Sequence, residues 1–138
     1  MQVREILETC LYVDDLEAAE AFYVGVLGLQ FVSRQADRHV FLRCGDRMLL
    51  IFNPIECSAP DGELPAHGCH GSGHVAFAVE QETLDAWRSH LVNHDVDIER
   101  TIDWPQGGRS LYFRDPAGNS LELATPLIWG IDESAAFL

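Results

Sequence analysis

The two halves of the chain show the same order of predicted secondary-structure elements. In the first half, an alternating pattern predicts a strand at residues 8–13, and apolar residues at helical spacing from Leu16 to Val26 predict a helix after it. Asp14 is the expected N-cap of this helix, with Glu17 three residues later as in a capping box. Three more strands are predicted near residues 30–34, 39–43 and 48–52, which completes a βαβββ module.

The second half repeats this βαβββ order. A strand at residues 74–79, a helix from about 82 to 94 and a strand near 97–101 are predicted first. Two alternating runs then flank Asp115-Pro116-Ala117-Gly118-Asn119, in which proline presets φ and Gly118 can take the left-handed conformation, so a β-hairpin is predicted over residues 110–123. The repeat therefore predicts an α+β fold built from two similar modules.

We expect a single domain over residues 1–138. Module one is predicted at about 5–53, a connection rich in proline and glycine at about 54–72, module two at about 73–126, and a C-terminal tail at 127–138. A chain of 138 residues with 47% hydrophobic residues can bury a core without disulfides or structural metals.

Strand alternation gives each module one bulky apolar face and one face of small or polar residues. Glu8, Cys10 and Tyr12 share the second kind of face on the first strand, and His74 and Glu122 lie on the corresponding faces in module two. A carboxylate between two leucines, as at position 122, needs solvent, a cation or a metal. Because small side chains cannot fill the space between such faces, the sequence predicts a cavity with Glu8, His74 and Glu122 on its wall.

Charge and cysteine content exclude several classes of partner. The formal net charge is −13, which repels nucleic-acid phosphates, so no nucleic-acid partner is expected. No apolar run approaches the length of a membrane span, and no signal-peptide pattern is present near residue 1, so we expect no membrane association. The four cysteines are widely spaced and are expected to be reduced thiols of a cytoplasmic protein.

Several segments resemble the vicinal oxygen chelate superfamily, which includes glyoxalase I, extradiol dioxygenases, and fosfomycin-resistance and bleomycin-binding proteins. They are Glu8-Thr9-Cys10-Leu11-Tyr12-Val13-Asp14-Asp15-Leu16, Gly25-Val26-Leu27-Gly28-Leu29, Gly73-His74-Val75-Ala76-Phe77 and the turn and strand at 115–123. The resemblance extends from Ile6 to Pro126. It implies a glyoxalase-like domain in which two βαβββ modules form an eight-stranded open cup, and assembly as a homodimer.

The resemblance also implies metal ligands, which fall on Glu8, His74 and Glu122. The first position more often carries histidine or glutamine in this superfamily, and the fourth glutamate ligand of glyoxalase-type members has no counterpart in residues 49–52. One imidazole and two carboxylates suit a divalent ion such as Zn, Mn, Ni, Co or Fe. Glu122 is also the candidate catalytic residue.

These features predict a small metal-dependent lyase or isomerase that acts on a small oxygen-chelating substrate. Two alternatives remain open: a metal-free small-molecule binding protein of the bleomycin-resistance type, and a ring-cleaving dioxygenase, which needs redox-active iron. Each ligand candidate also has a structural interpretation. Glu8 is then a solvated residue at a strand end, His74 a core histidine, and Glu122 the partner of an arginine.

Three further residues are candidates for substrate binding. Tyr12 shares the face of Glu8, and Tyr112 lies on a strand next to that of Glu122. Arg109 follows a glycine pair and is expected to hold a carboxylate or phosphate through two hydrogen bonds, unless it is a surface arginine.

A second arrangement of metal-binding residues is present in the connection. His67, Cys69 and His70 are candidates for a zinc site with His74. Their spacing matches no closed structural zinc pattern, and the run is rich in glycine. A flexible connection with surface histidines is therefore the favoured interpretation.

Overall fold

A computed structural model describes residues 1–137 of the chain, so Leu138, the last residue of the predicted tail, lies outside the described residues. The chain divides into two compact units, of which unit 1 is Met1–Gly73 and unit 2 begins at His74. None of the helices over residues 1–137 has both the length and the apolar character needed to cross a membrane.

Unit 1 contains one four-stranded mixed sheet with the strand order β1-β4-β3-β2. β1 and β4 are parallel, and the other pairs are antiparallel. The elements in chain order are β1 (Glu8–Tyr12), α1 (Leu16–Gly25), β2 (Gln30–Gln35), β3 (His39–Cys44), β4 (Arg47–Phe52) and α2 (Pro54–Cys57).

Unit 2 repeats this arrangement with the strand order β5-β8-β7-β6. β5 and β8 are parallel, and the hairpin β7–β8 is antiparallel. The elements are β5 (His74–Ala78), a 3₁₀ turn (Gln81–Thr83), α3 (Leu84–Asn93), β6 (Arg100–Asp103), β7 (Arg109–Arg114), β8 (Ser120–Ala124), a second 3₁₀ turn (Pro126–Trp129) and α4 (Glu133–Ala136). The predicted α+β class with two βαβββ modules is confirmed.

Two local predictions were wrong, and one helix was not predicted. The N-cap of α1 is Asp15, whose Oδ1 accepts a hydrogen bond from the Ala18 backbone N–H at 2.9 Å, and not Asp14. β6 begins at Arg100, three residues later than the predicted strand. The connection also contains a helix, α2, which starts because Asn53 caps the Ile55 N–H at 3.0 Å and Pro54 suits the first helical position.

The bulky apolar face of the β7–β8 hairpin is buried, as the alternation predicts. In unit 2, four alternating side chains of β7 and β8 are at most 2% exposed: Leu111, Phe113, Leu121 and Leu123. Burial of such a side chain contributes roughly 1.5–3 kcal/mol. These contacts therefore fix which face of the sheet carries Tyr112 and Glu122.

The predicted hairpin turn is held by a buried carboxylate. Asp115 Oδ1 accepts hydrogen bonds from the Ala117 N–H at 3.0 Å and the Asn119 N–H at 2.8 Å, and Asp115 Oδ2 accepts one from Asn119 Nδ2 at 2.9 Å. Gly118 has a φ of +89°, the left-handed conformation that the turn requires. This turn sets the register in which Tyr112 pairs with Glu122.

Candidate functional site

His74 and Glu122 lie together on one face of the unit 2 sheet. They are on the parallel neighbours β5 and β8, and His74 Nε2 is 3.4 Å from Glu122 Oε2. His74 Nδ1 is 2.9 Å from the Ser120 carbonyl oxygen. Because a carbonyl oxygen only accepts, Nδ1 is a protonated ring nitrogen, and Nε2 is the ring nitrogen that faces Glu122.

The Glu122 side chain is buried but incompletely satisfied. Glu122 is 5% exposed, and its Oε1 atom has no hydrogen-bond partner among residues 1–137. Within the same residues, no arginine lies within ion-pair distance of Glu122. A buried carboxylate oxygen without a donor is unfavourable, and a cation removes this penalty. The interpretation of Glu122 as an arginine partner therefore has no support.

The His74–Glu122 pair fits a metal ion. Two ligands about 2.1 Å from one tetrahedral ion lie about 3.4 Å apart, and this matches the 3.4 Å between Nε2 and Oε2. The second ring nitrogen of His74 bonds a backbone carbonyl, as metal-binding histidines usually do. No group of three His, Cys, Asp or Glu side chains suited to a metal is found among the described residues. Glu8, the third predicted ligand, is an exposed residue at the start of β1 in unit 1.

Tyr112 lies on the same face as this pair. It faces Glu122 across the β7–β8 ladder, and its ring centroid is 6.5 Å from that of His74 with the planes inclined by 23°. Burial raises the pKa of the Tyr112 hydroxyl, and the charge and hydrogen bonding of Glu122 raise it further. Tyr112 is therefore a neutral phenol at physiological pH, with a proton to donate.

Arg109 does not lie on the sheet face that carries His74, Glu122 and Tyr112. Its Nε donates to Asp103 Oδ1 at 2.5 Å across the β6–β7 ladder. Strand alternation places Arg109 on the face of Leu111, opposite to Tyr112. Its predicted role in substrate binding stays a prediction.

Tyr12 and Glu8 line a cavity of about 620 Å³ in unit 1. The Tyr12 hydroxyl is 2.7 Å from His67 Nδ1, so His67 is engaged by a tyrosine. Cys69 and His70 are exposed. The alternative zinc site of the connection, which the sequence did not favour, is not assembled among the described residues. Arg38 also lines this cavity, and no motif in the sequence identified it.

His39 is a buried histidine that the sequence reasoning missed. Its ring stacks on Phe41 at a centroid distance of 3.9 Å, and its Nδ1 is 2.7 Å from Arg38 Nη1. A guanidinium only donates, so Nδ1 accepts and the imidazole is neutral. Burial lowers the pKa of His39, and the positive charge of Arg38 lowers it further. The sequence feature that could have indicated a buried His39 is its position between Arg38 and the apolar run of β3.

The lowered pKa of His39 predicts that the stability of the fold depends on pH. Because the folded state depresses the pKa of His39 below its ordinary value of 6.5, the unfolded chain binds more protons, and stability falls as pH drops below about 6.5. Urea unfolding of the wild type and of His39→Gln between pH 7.5 and 5.5 measures the effect. The wild type should lose more stability than the variant over this range. Parallel curves would contradict a neutral buried imidazole, since the other five histidines are common to both proteins.

Comparison with known proteins gives a consistent family. A family model described as the Glyoxalase/Bleomycin resistance protein/Dioxygenase superfamily matches residues 5–123. A metallothiol transferase FosB from Staphylococcus epidermidis is 28% identical over 130 residues, covering 91% of this chain and 84% of that protein. A second, from Bacillus licheniformis, is 29% identical and covers 82% of this chain and 70% of its own length.

Solved structures agree with this match. The crystal structure of lactoylglutathione lyase from Agrobacterium tumefaciens is 41% identical, with a TM-score of 0.91, and the alignment covers 95% of this chain and 100% of that one. An integron cassette protein from V. Cholerae is 27% identical with a TM-score of 0.72, covering 91% and 98% of the two chains. The family match over most of the chain confirms the resemblance seen in the strands and the hairpin. The protein is a member of the Glyoxalase/Bleomycin resistance protein/Dioxygenase superfamily.

Proposed function

We propose that the protein is a metal-dependent lyase or isomerase that acts on a small molecule chelating the metal through oxygen atoms. The observation that carries this proposal is the buried Glu122 carboxylate, which has one oxygen 3.4 Å from Nε2 of His74 and one oxygen without a partner among residues 1–137. Two lone-pair atoms facing each other at 3.4 Å repel unless a proton or a cation lies between them. This arrangement suits a divalent ion.

The ligand set of the proposal is Glu8, His74 and Glu122. A divalent ion bound there supplies Lewis-acid polarisation of a substrate carbonyl or hydroxyl. The Ser120 carbonyl keeps the His74 ring in the tautomer that leaves Nε2 free. Glu122 can bind through Oε2 while Oε1 accepts a proton from a substrate carbon, and the neutral Tyr112 hydroxyl can donate a hydrogen bond to a substrate oxygen. β4 carries no acidic residue, so Glu122 is the proposed base.

The names of two relatives support a substrate class. Metallothiol transferase and lactoylglutathione lyase both specify a sulfur compound. We therefore propose an adduct of a small thiol as the substrate, with a proton moved between adjacent carbons in an isomerase or lyase step. An assay for S-lactoylglutathione tests the reaction for which the lyase relative is named. An assay for loss of free thiol tests the reaction for which the metallothiol transferase relatives are named.

Metal content is the direct test of this proposal. We expect protein purified without added metal to contain a divalent ion at close to one per chain by elemental analysis. His74→Ala and Glu8→Gln should lose it, because each removes one ligand. His94→Ala is the matched control, since His94 is a surface histidine whose Nδ1 contacts the His90 carbonyl within α3 and its C-cap. Retention of full metal content by both ligand variants would contradict the proposed site.

A metal-free binding protein is the second candidate. The cavity in unit 1, with about 620 Å³ and an aromatic lining, has the size of a small-molecule site without any metal. Purified protein that takes up no divalent ion, yet stays folded, would favour this candidate. We also propose that the protein is a cytoplasmic homodimer. Sedimentation velocity tests the dimeric state.

A further inference from the structure

Arg38 differs from the arginines that form ion pairs in this chain. Four arginines pair with carboxylates: Arg34 with Glu20, Arg47 with Glu5, Arg109 with Asp103 and Arg114 with Glu99. Across residues 1–137, no carboxylate oxygen lies within 4.0 Å of the Arg38 guanidinium, although Glu56 and Glu63 line the neighbouring 370 Å³ cavity that Arg38 also borders. Arg88 is the other half-buried arginine outside these pairs, and its Nη2 donates to Thr101 Oγ1 at 2.8 Å, whereas Arg38 borders two cavities.

The position of Arg38 is fixed by its neighbours. Its Nη1 donates to His39 Nδ1 at 2.7 Å, and its Cζ lies 5.3 Å from the centroid of the Phe52 ring. Its backbone carbonyl accepts from the Asn53 N–H at 2.8 Å. Among residues 1–137, His39 accepts from one of the five guanidinium N–H groups, and the other N–H groups can bind a ligand.

Aromatic rings surround the cavity beside this guanidinium. Phe41 and Phe52 meet at 71° with centroids 5.6 Å apart, and Tyr12 lies 6.4 Å from Phe52. Aromatic rings of this kind offer apolar faces and edges against which a flat apolar ligand can pack. The volume of about 620 Å³ accommodates one small organic molecule.

The cavity carries groups of opposite charge at its two ends. Glu8 and Tyr12 are the two ends of β1, and four residues of strand span roughly 13 Å. Arg38 lies at the Tyr12 end, because His39 and Tyr12 both pair with Phe52. A carboxylate at one end and a guanidinium at the other orient a polar ligand, with its anionic group at Arg38.

We propose that the unit 1 cavity binds a planar aromatic compound that carries one carboxylate group, and that Arg38 is the anchor for this group. The guanidinium fork matches a carboxylate in two parallel hydrogen bonds. A single arginine neutralises a single negative charge, and Glu8, Glu56 and Glu63 around the two cavities disfavour a dianion. This inference concerns unit 1 alone and does not require the proposed metal.

Binding of 2-naphthoate to the full chain tests the proposal, with the uncharged 2-naphthamide as the matched probe. Titration calorimetry is carried out on protein dialysed against EDTA, so that failure of the metal proposal does not affect the result. We expect 2-naphthoate to bind at least about tenfold more tightly than 2-naphthamide, the difference expected from one charge-assisted interaction.

Arg38→Met keeps the length of the side chain and removes its charge. We expect it to weaken 2-naphthoate binding by about tenfold or more and to leave 2-naphthamide binding within about twofold. Arg34→Met is the matched control in the same unit, since Arg34 already pairs with Glu20. Arg38→Lys keeps a positive charge and should retain part of the preference for the carboxylate.

Three results would overturn the proposal. They are the absence of saturable 2-naphthoate binding at millimolar concentration, equal affinity for both probes, and unchanged 2-naphthoate binding by Arg38→Met. Thermal unfolding of Arg38→Met shows whether it is folded, and if it is not, the comparison of the two probes on the wild type and on Arg38→Lys decides the question.

Discussion

Glu122→Gln should weaken binding of a divalent ion by about a hundredfold or more, and the metal-free variant should be more stable than the metal-free wild type. Loss of the charged ligand exceeds the 10- to 100-fold effect of outer-shell changes. The gain in stability has a separate cause. In the wild type, Glu122 Oε2 lies 3.4 Å from His74 Nε2, which is an acceptor when the imidazole is neutral, and Glu122 Oε1 has no partner among residues 1–137. A glutamine amide can donate to His74 Nε2, and it removes a buried charge.

Opposite effects of one substitution on metal affinity and on stability are the signature of a buried ligand. We expect the metal-free variant to gain about 1 kcal/mol, or a few degrees in Tm. Differential scanning calorimetry in EDTA measures the stability, and competition with a chromogenic chelator measures the affinity. Glu99→Gln is the control, since Glu99 is an exposed carboxylate paired with Arg114 in the same unit. A metal-free Glu122→Gln protein that unfolds several degrees lower would indicate a structural carboxylate instead.

The hairpin shows how far local sequence predicts this fold. Its turn residues and the alternation of β8 were predicted because each depends on neighbours within a few positions. The buried Asp115 carboxylate and the left-handed Gly118 then carry out the roles that those residue types favour. The alternation also placed His74 and Glu122 on matching faces, and the structure brings their side chains together.

Features that depend on contacts distant in sequence were not predictable in the same way. Arg38 resembles any other surface arginine until β3 and β4 pair and Phe52 comes beneath its guanidinium. The start of β6 is set by pairing with β7, where Arg100 meets Tyr112, and the sequence of β6 alone gives no such boundary. The shift of the N-cap from Asp14 to Asp15 has a local origin, since either of two adjacent aspartates can accept from a backbone N–H of the first turn.

Gly108→Ala should be strongly destabilising. Gly108 has a φ of +81°, and a Cβ atom there would lie 2.6 Å from Thr125 Oγ1, 2.8 Å from Ile128 Cγ2 and 3.0 Å from the Ile128 nitrogen. Thr125 cannot yield freely, because its Oγ1 accepts from the Arg109 N–H at 3.0 Å and its own N–H donates to the Arg109 carbonyl at 3.1 Å. We expect a loss of about 3–4 kcal/mol, from left-handed strain and overpacking together.

Gly118→Ala separates the two contributions to this loss. Gly118 has a similar φ of +89°, but an added Cβ would meet no atom within 4 Å. It should therefore lose only about 1–2 kcal/mol, from strain alone. Urea unfolding of both variants at one pH gives the difference, which measures how rigidly the 3₁₀ turn Pro126–Trp129 is held against the start of β7. Equal losses would mean that Thr125 and Ile128 move aside. The contact between this turn and β7 would then contribute little to holding the ladder in which Tyr112 faces Glu122.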